Sequence, residues 1–381
     1  MDKILYILII LIFFSSCTKT IEVPLDDQSV IAYQKNIDEY SFDIQDNKFY
    51  FLSEEDSTLL NYYTLTPNGV FEMICNVNDY FPANYTVDSI LNYKAKTFDD
   101  NSKAIAFSYL GKGKKVFSVL KLNQSNQVKW QLTDTITDGT DGYSLENISI
   151  NTNGNIDVLF STNRPTPNLQ TIIYINSYDG TNGEVILKTQ IAINGLVIQV
   201  CPVSGGGAMI FSGEPEGAPG TGNLVYKNLK IWLYKDSQLK SVETGLSILS
   251  YYMSLSQDQD NFIVSGLTES YSALLFSVSL DNGVNWETYF SKSEIKGITN
   301  SNDGYIVTGK EFNTLSEGSI LMAKVNKEGV IVWNEPFDAE SYGLGIIEEE
   351  ETLYWFGTTN HESVIPESFF LLKTDNLGVV K

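Results

Sequence analysis

The residues that could do chemistry are few and unevenly distributed. The chain of 381 residues holds one histidine, His361, and one arginine, Arg164, against 47 acidic side chains. Mechanisms that need two histidines or an arginine cluster are therefore excluded within this chain. Acid pairs are unavoidable at that density, so carboxylate spacing alone identifies no glycosidase pair, although such a pair is what that chemistry requires. The run Glu348 to Glu351 precedes a β-rich segment and reads as a solvated rim. Asp138 and Asp141 share a polar turn and offer oxygen ligands of the kind Ca2+ takes, without the full spacing of a calcium loop. Gly205-Gly206-Gly207 opens no helix, so it is not a phosphate cradle. The formal charge of −22 argues against nucleic acid as a partner, because phosphate binding needs clustered Lys and Arg.

A different chemistry is written at the start. Ile4 to Phe14 is an unbroken apolar run, and Ser15-Ser16-Cys17 follows at once. The run is short for a bilayer span but suits the core of an export signal. Small residues before a Cys resemble the lipobox of bacterial lipoproteins, in which the cysteine is acylated and becomes the mature N-terminus. That resemblance assigns residues 1–16 to a signal peptide, Cys17 to lipidation and 17–28 to a tether. A plain secretory signal or an uncleaved anchor are the alternatives. Abundant Asn, Ile, Tyr and Lys with almost no Arg resemble exported lipoproteins of the Bacteroidota. The implied location is the outer membrane, facing the periplasm or the cell surface. Cys75 and Cys201 remain, and the repeat described next separates them, so two free, buried thiols are expected.

The elements that must position everything else are strands. Asp303-Gly304-Tyr305-Ile306-Val307-Thr308-Gly309 is a turn and a β-rich run; Ser319 to Asn326 is a second run, and Lys327-Glu328-Gly329 turns into Val330 to Trp333. The plan recurs at about 50 residues, the period of propeller blades. First runs stand at Phe49–Ser53, Ile105–Ser108, Val158–Ser161, Met209–Gly213, Phe262–Gly266, Tyr305–Gly309 and Leu353–Gly357. A second run follows each, and a shorter strand precedes each. The pattern predicts an all-β fold, a seven-bladed β-propeller of four-stranded antiparallel blades over residues 29–381. Rings of six or eight blades, or an array of sandwiches, are the alternatives. After Gly378 too little chain remains for a last outer strand, so Ser29 to Tyr33 is expected to close the ring by pairing beside Phe369 to Leu372.

Ser279-Leu280-Asp281-Asn282-Gly283-Val284-Asn285-Trp286 resembles the Asp-box of sialidase-type propellers, with Asn285 in place of Thr. The resemblance gives Ser279, Asp281, Gly283 and Trp286 a structural role: Asp281 would bond turn N–H groups and Trp286 would pack between blades. Sialidase activity itself needs an arginine triad, which is absent. Long insertions of two loop types would share one face and carry Tyr80, Phe81, Tyr85, Arg164, Tyr226 and His361 as a ligand-binding face for protein or glycan. The expected function is a lipid-anchored, non-catalytic binding or scaffold module. A propeller glycoside hydrolase or lyase with central carboxylates, and a structural subunit of an outer-membrane complex, are the rivals.

Overall fold

A computed structural model describes residues 30–33, 42–56, 59–81, 88–111, 114–135, 143–162, 170–203, 205–216, 225–249, 253–312, 318–337, 341–359 and 368–380. The described chain is all-β, apart from one 3-10 turn at Val77–Tyr80.

Strand β1 (Val30–Tyr33) stands apart from its neighbours in sequence. The first meander is β2 (Phe42–Gln45), β3 (Lys48–Asp56), β4 (Leu59–Leu65) and β5 (Phe71–Asn76). The second is β6 (Ser89–Thr97), β7 (Lys103–Gly111), β8 (Lys114–Leu122) and β9 (Val128–Thr135). The third is β10 (Tyr143–Ile150), β11 (Ile156–Thr162), β12 (Gln170–Tyr178) and β13 (Val185–Asn194). The fourth is β14 (Leu196–Pro202), β15 (Ala208–Glu216), β16 (Val225–Lys235) and β17 (Gln238–Glu243). A two-residue strand, β18 (Ile248–Leu249), precedes the fifth: β19 (Leu255–Asp258), β20 (Asn261–Leu267), β21 (Ala273–Ser279) and β22 (Gly283–Phe290). The sixth is β23 (Ser293–Ser301), β24 (Gly304–Phe312), β25 (Gly318–Asn326) and β26 (Ile331–Asn334). The last is β27 (Ser341–Glu349), β28 (Thr352–Thr359) and β29 (Ser368–Asp375).

Neighbouring strands pair antiparallel. Five sheets have four strands, and the fourth and fifth meanders merge into one nine-stranded sheet because β18 pairs with both β16 and β20. The last sheet takes its fourth strand from the other end of the chain: β1 pairs with β29, Val30 opposite Leu372 and Tyr33 opposite Phe369. This is the pairing expected from the missing outer strand.

Burial explains the sequence pattern. The second and third strands of a meander are covered on both sides by neighbouring sheets, so they read as predominantly apolar runs broken by small polar residues; all seven residues of β21, Ser277 and Ser279 included, are buried. The fourth strand lies at an edge, and the first four residues of β13 are all exposed. Consecutive meanders share apolar clusters, for example Phe117, Val119 and Trp130 of the second with Ile148 and Val158 of the third. The first and last meanders also share one. Phe49, Phe51 and Tyr63 pack there against Phe356 and Phe369. Phe356 lies 5.0 Å from Phe42, 5.1 Å from Phe49 and 5.3 Å from Phe51 between ring centroids. The chain therefore returns on itself through an aromatic interface.

Candidate functional site: the axial cavity

Each meander turns its first strand inward, and β2, β6, β10, β14, β19, β23 and β27 together line one cavity of about 1450 Å³. First strands are half-polar because one side meets this cavity. Lys94, Lys96, Glu146, Asn147, Gln199 and Asn300 stand among the lining residues.

Several polar groups of the wall are committed to a neighbouring meander. Asp43 of the first meander is ion-paired with Lys96 of the second and accepts the Thr97 N–H at 3.3 Å. Gln45 donates to Asp99 at 3.0 Å. Gln199 binds the Met253 backbone twice, donating to its carbonyl and accepting from its N–H, both at 2.8 Å. Ser254 donates to the Lys296 carbonyl at 2.5 Å, Asn300 to the Gln257 carbonyl at 2.6 Å, and Thr299 to the Ile346 carbonyl at 2.9 Å. These bonds pair meanders one with two, four with five, five with six, and six with seven in chain order.

Four carboxylates line the cavity: Asp43, Asp99, Asp100 and Glu146. Asp99 and Asp100 occupy an exposed turn, and hydrogen bonds from Ser102 hold the Asp100 carboxyl below its ordinary range. Glu146 differs. Burial pushes its pKa up, against a hydrogen bond from Ser161 at 2.5 Å and the charge of Lys94. An acid–base pair for glycoside cleavage needs one protonated and one free carboxylate. Burial favours the neutral form of Glu146, whereas Asp43 is engaged by Lys96 of the second meander. Among the described residues no three His, Cys, Asp or Glu side chains converge on a metal position.

The residues expected on a recognition face lie elsewhere. Asn76 Oδ1 caps the 3-10 turn by accepting the Asn78 N–H at 2.9 Å, and Asn78 Oδ1 accepts the Leu60 N–H at 2.8 Å. That turn folds Tyr80 and Phe81 back onto the sheet. Tyr80 donates its hydroxyl to the Asn126 carbonyl at 3.3 Å, and Phe81 packs 5.1 Å from Phe107 and 5.2 Å from Tyr109. Tyr226 lies within β16 opposite Ile248 and packs on the core of the fourth and fifth meanders. All three are half-buried rather than presented, because apolar surface was within reach of each ring. Tyr85, Arg164, His361, Cys17, Asp138 and Asp141 lie outside the described residues.

The Asp-box residues divide their expected roles. Asp281 is exposed and accepts no hydrogen bond among the described residues, whereas Ser279 Oγ accepts the Asn282 N–H at 3.2 Å. The same device, at the first position of the turn, recurs in stronger form. Asn123, Asn326 and Asp375 each accept two N–H groups across the turn after their third strand, Asn326 from Glu328 at 3.1 Å and Val330 at 2.8 Å. Trp286 packs across to the next meander. A Cβ placed on Gly329, at φ +83°, would lie 2.6 Å from the Trp286 ring. Trp130 covers Gly183 and Trp333 covers Gly378 in the same way. A fourth-strand tryptophan thus seals the left-handed turn glycine of the following sheet at three places. Cys75 and Cys201 are free, buried thiols whose pKa values burial pushes up to about 12.

The axial wall as a whole has only a weak sequence signal. Its signal was the alternation of polar residues in first strands, as in Glu146-Asn147-Ile148-Ser149 and Lys94-Ala95-Lys96.

No family model matches the chain, and no curated protein matches it. Among solved structures, it is similar to a puromycin-hydrolyzing peptidase of Mycobacterium tuberculosis, with 11% identity and a TM-score of 0.53 over 92% of this chain and 55% of the peptidase. A prolyl endopeptidase aligns at 10% identity and a TM-score of 0.49, over 90% of this chain and 50% of the other. The polysaccharide lyase Uly1 aligns at 9% identity and a TM-score of 0.45, over 88% and 89%. The chain spans about half the length of the peptidases it matches. At such identity the likeness concerns the fold, a propeller-like all-β architecture.

Proposed function

We propose that this chain is a lipid-anchored, seven-bladed β-propeller of the cell envelope that serves as a non-catalytic binding or scaffold module. The observation that carries this reading is the use of the axial polar groups. Asp43, Gln45, Gln199, Ser254, Thr299 and Asn300 bond neighbouring meanders, so these groups of the wall where a propeller would place catalytic residues hold the ring together instead. Peptidase chemistry of the nucleophile–base kind would have His361 as its one histidine. Tyr85, Arg164 and His361 remain the candidates for contacts with a protein or glycan. Cys17, preceded by the apolar run and Ser15-Ser16, is the acylation site, and more than one acyl chain is needed for stable attachment. The outer membrane is the compartment this anchor implies.

Two measurements test the reading. In cell fractionation, Cys17→Ala should release a folded protein from the membrane fraction; retention of that variant would point to an uncleaved N-terminal helix. Incubation of the purified protein with panels of polysaccharides should yield binding without cleavage. Products whose release disappears in Glu146→Gln would establish the hydrolase or lyase reading instead.

A further inference from the structure

Most of the exposed apolar residues of this protein gather at one edge, with Leu91, Tyr271 and Tyr289 lying away from it. Val70, Val128, Ile186, Leu239, Val332 and Val379 are each 42–56% exposed. Every one lies within a few residues of the turn that joins a third strand to a fourth, or to the chain end in the last sheet. Those turns lie side by side on one face, as the packing of Trp130 on Gly183, Trp286 on Gly329 and Trp333 on Gly378 requires. The apolar residues therefore form a belt around the outer edge of that face. Soluble proteins leave single apolar residues exposed without consequence, but contiguous apolar surface usually meets something.

The chain enters the fold at the same edge. Val380 bridges Thr374 just after the last turn, and Val30 pairs with Leu372, two positions further along the same strand. Val30 thus begins its strand about 10 Å from the rim. The residues between Cys17 and Val30 span at most about 40 Å when extended. An acyl group on Cys17 would thus be tethered to the ring through this edge.

We infer that the apolar belt rests on the bilayer surface, with Val, Leu and Ile side chains at the boundary of headgroups and acyl chains, so that the ring stands with its other face outward. The inference rests on the anchor reading of Cys17. Nearer the axis the same face carries exposed acids, Asp46, Asp99, Asp260 and Glu350, besides Asp303 paired with Lys324, and the acids outside that pair oppose an anionic surface. The lipid that fits is therefore zwitterionic.

The test uses the full chain, purified from membranes and reconstituted in phosphatidylcholine vesicles containing brominated acyl chains. Ile186→Trp and Val332→Trp place a reporter on the belt; Tyr271→Trp places one on the turn between β20 and β21, on the opposite face. Quenching beyond that of the parent's five tryptophans should be at least twofold greater for the belt reporters, and should fall when phosphatidylglycerol replaces half of the lipid. Equal quenching, or stronger quenching at position 271, overturns the inference. So does a concentration-dependent dimer in lipid-free buffer that Ile186→Asp abolishes, since a second copy would then be the occupant. Intact mass reports the anchor separately. An unacylated Cys17 with quenched belt reporters would discard the anchor and keep the belt; an acylated Cys17 with unquenched ones would do the reverse.

Discussion

Glu146 is an axial carboxylate whose burial disfavours its charge. Its folded-state pKa is raised by burial, so the folded protein retains a proton that the unfolded chain gives up. Its contribution to stability is therefore largest at low pH and erodes as the pH rises from the unfolded carboxylate pKa, about 4, through the raised folded value. Glu146→Gln keeps an acceptor for Ser161 and removes the ionisation. It should raise the melting temperature at pH 7 and give no gain near pH 4. A second residue-scale prediction concerns the turns. Asp281→Ala should change stability by less than about 0.5 kcal/mol, as for an exposed side chain without partners. Asn326→Ala should cost about 1 kcal/mol, because two turn N–H groups lose their acceptor. Denaturant unfolding of both variants checks the pair; a larger loss for Asp281→Ala would restore the Asp-box role that its resemblance implied.

At the scale of elements, the tryptophan seals connect sheets that are separate in sequence. Gly329→Ala introduces a Cβ at positive φ and against the Trp286 ring, so it should destabilise by about 1 kcal/mol or more. Part of that cost is contact with Trp286 and should disappear in a Trp286→Ala background; a double-mutant cycle should give a coupling of about 1 kcal/mol. Strictly additive losses would leave only backbone strain. The strands themselves were readable in the sequence because double-sided burial writes second and third strands as largely apolar runs, such as Phe369 to Leu372. Other features were not readable, for physical reasons. The Gln199 clamp finds its partner, Met253, 54 residues away. β18 is two residues long, too short for any periodicity. Tyr80 and Phe81 look like loop aromatics until a capped 3-10 turn folds them onto Phe107.

On the scale of the whole molecule, the ring is closed by two different devices at one junction: the aromatic cluster between the first and last sheets, and the β1–β29 pairing. Phe356 is fully buried among Phe42, Phe49, Phe51 and Phe369, so Phe356→Ala should cost about 3–5 kcal/mol, read from its unfolding midpoint. The strand pairing was foreseeable because the last repeat lacks an outer strand, and it brings the two ends of the described chain into one sheet. A cross-link measures it directly. Ile31 stands opposite Leu371, and the native Cys75 and Cys201 are buried, so a new cysteine pair at these two positions can be followed without interference. Ile31→Cys with Leu371→Cys should form an intramolecular disulfide under mild oxidation, found by mass spectrometry of the linked peptides, and should raise the melting temperature relative to the reduced protein. Free thiols at both positions in a folded, oxidised protein, or a link joining position 31 to another strand, would contradict the closed ring.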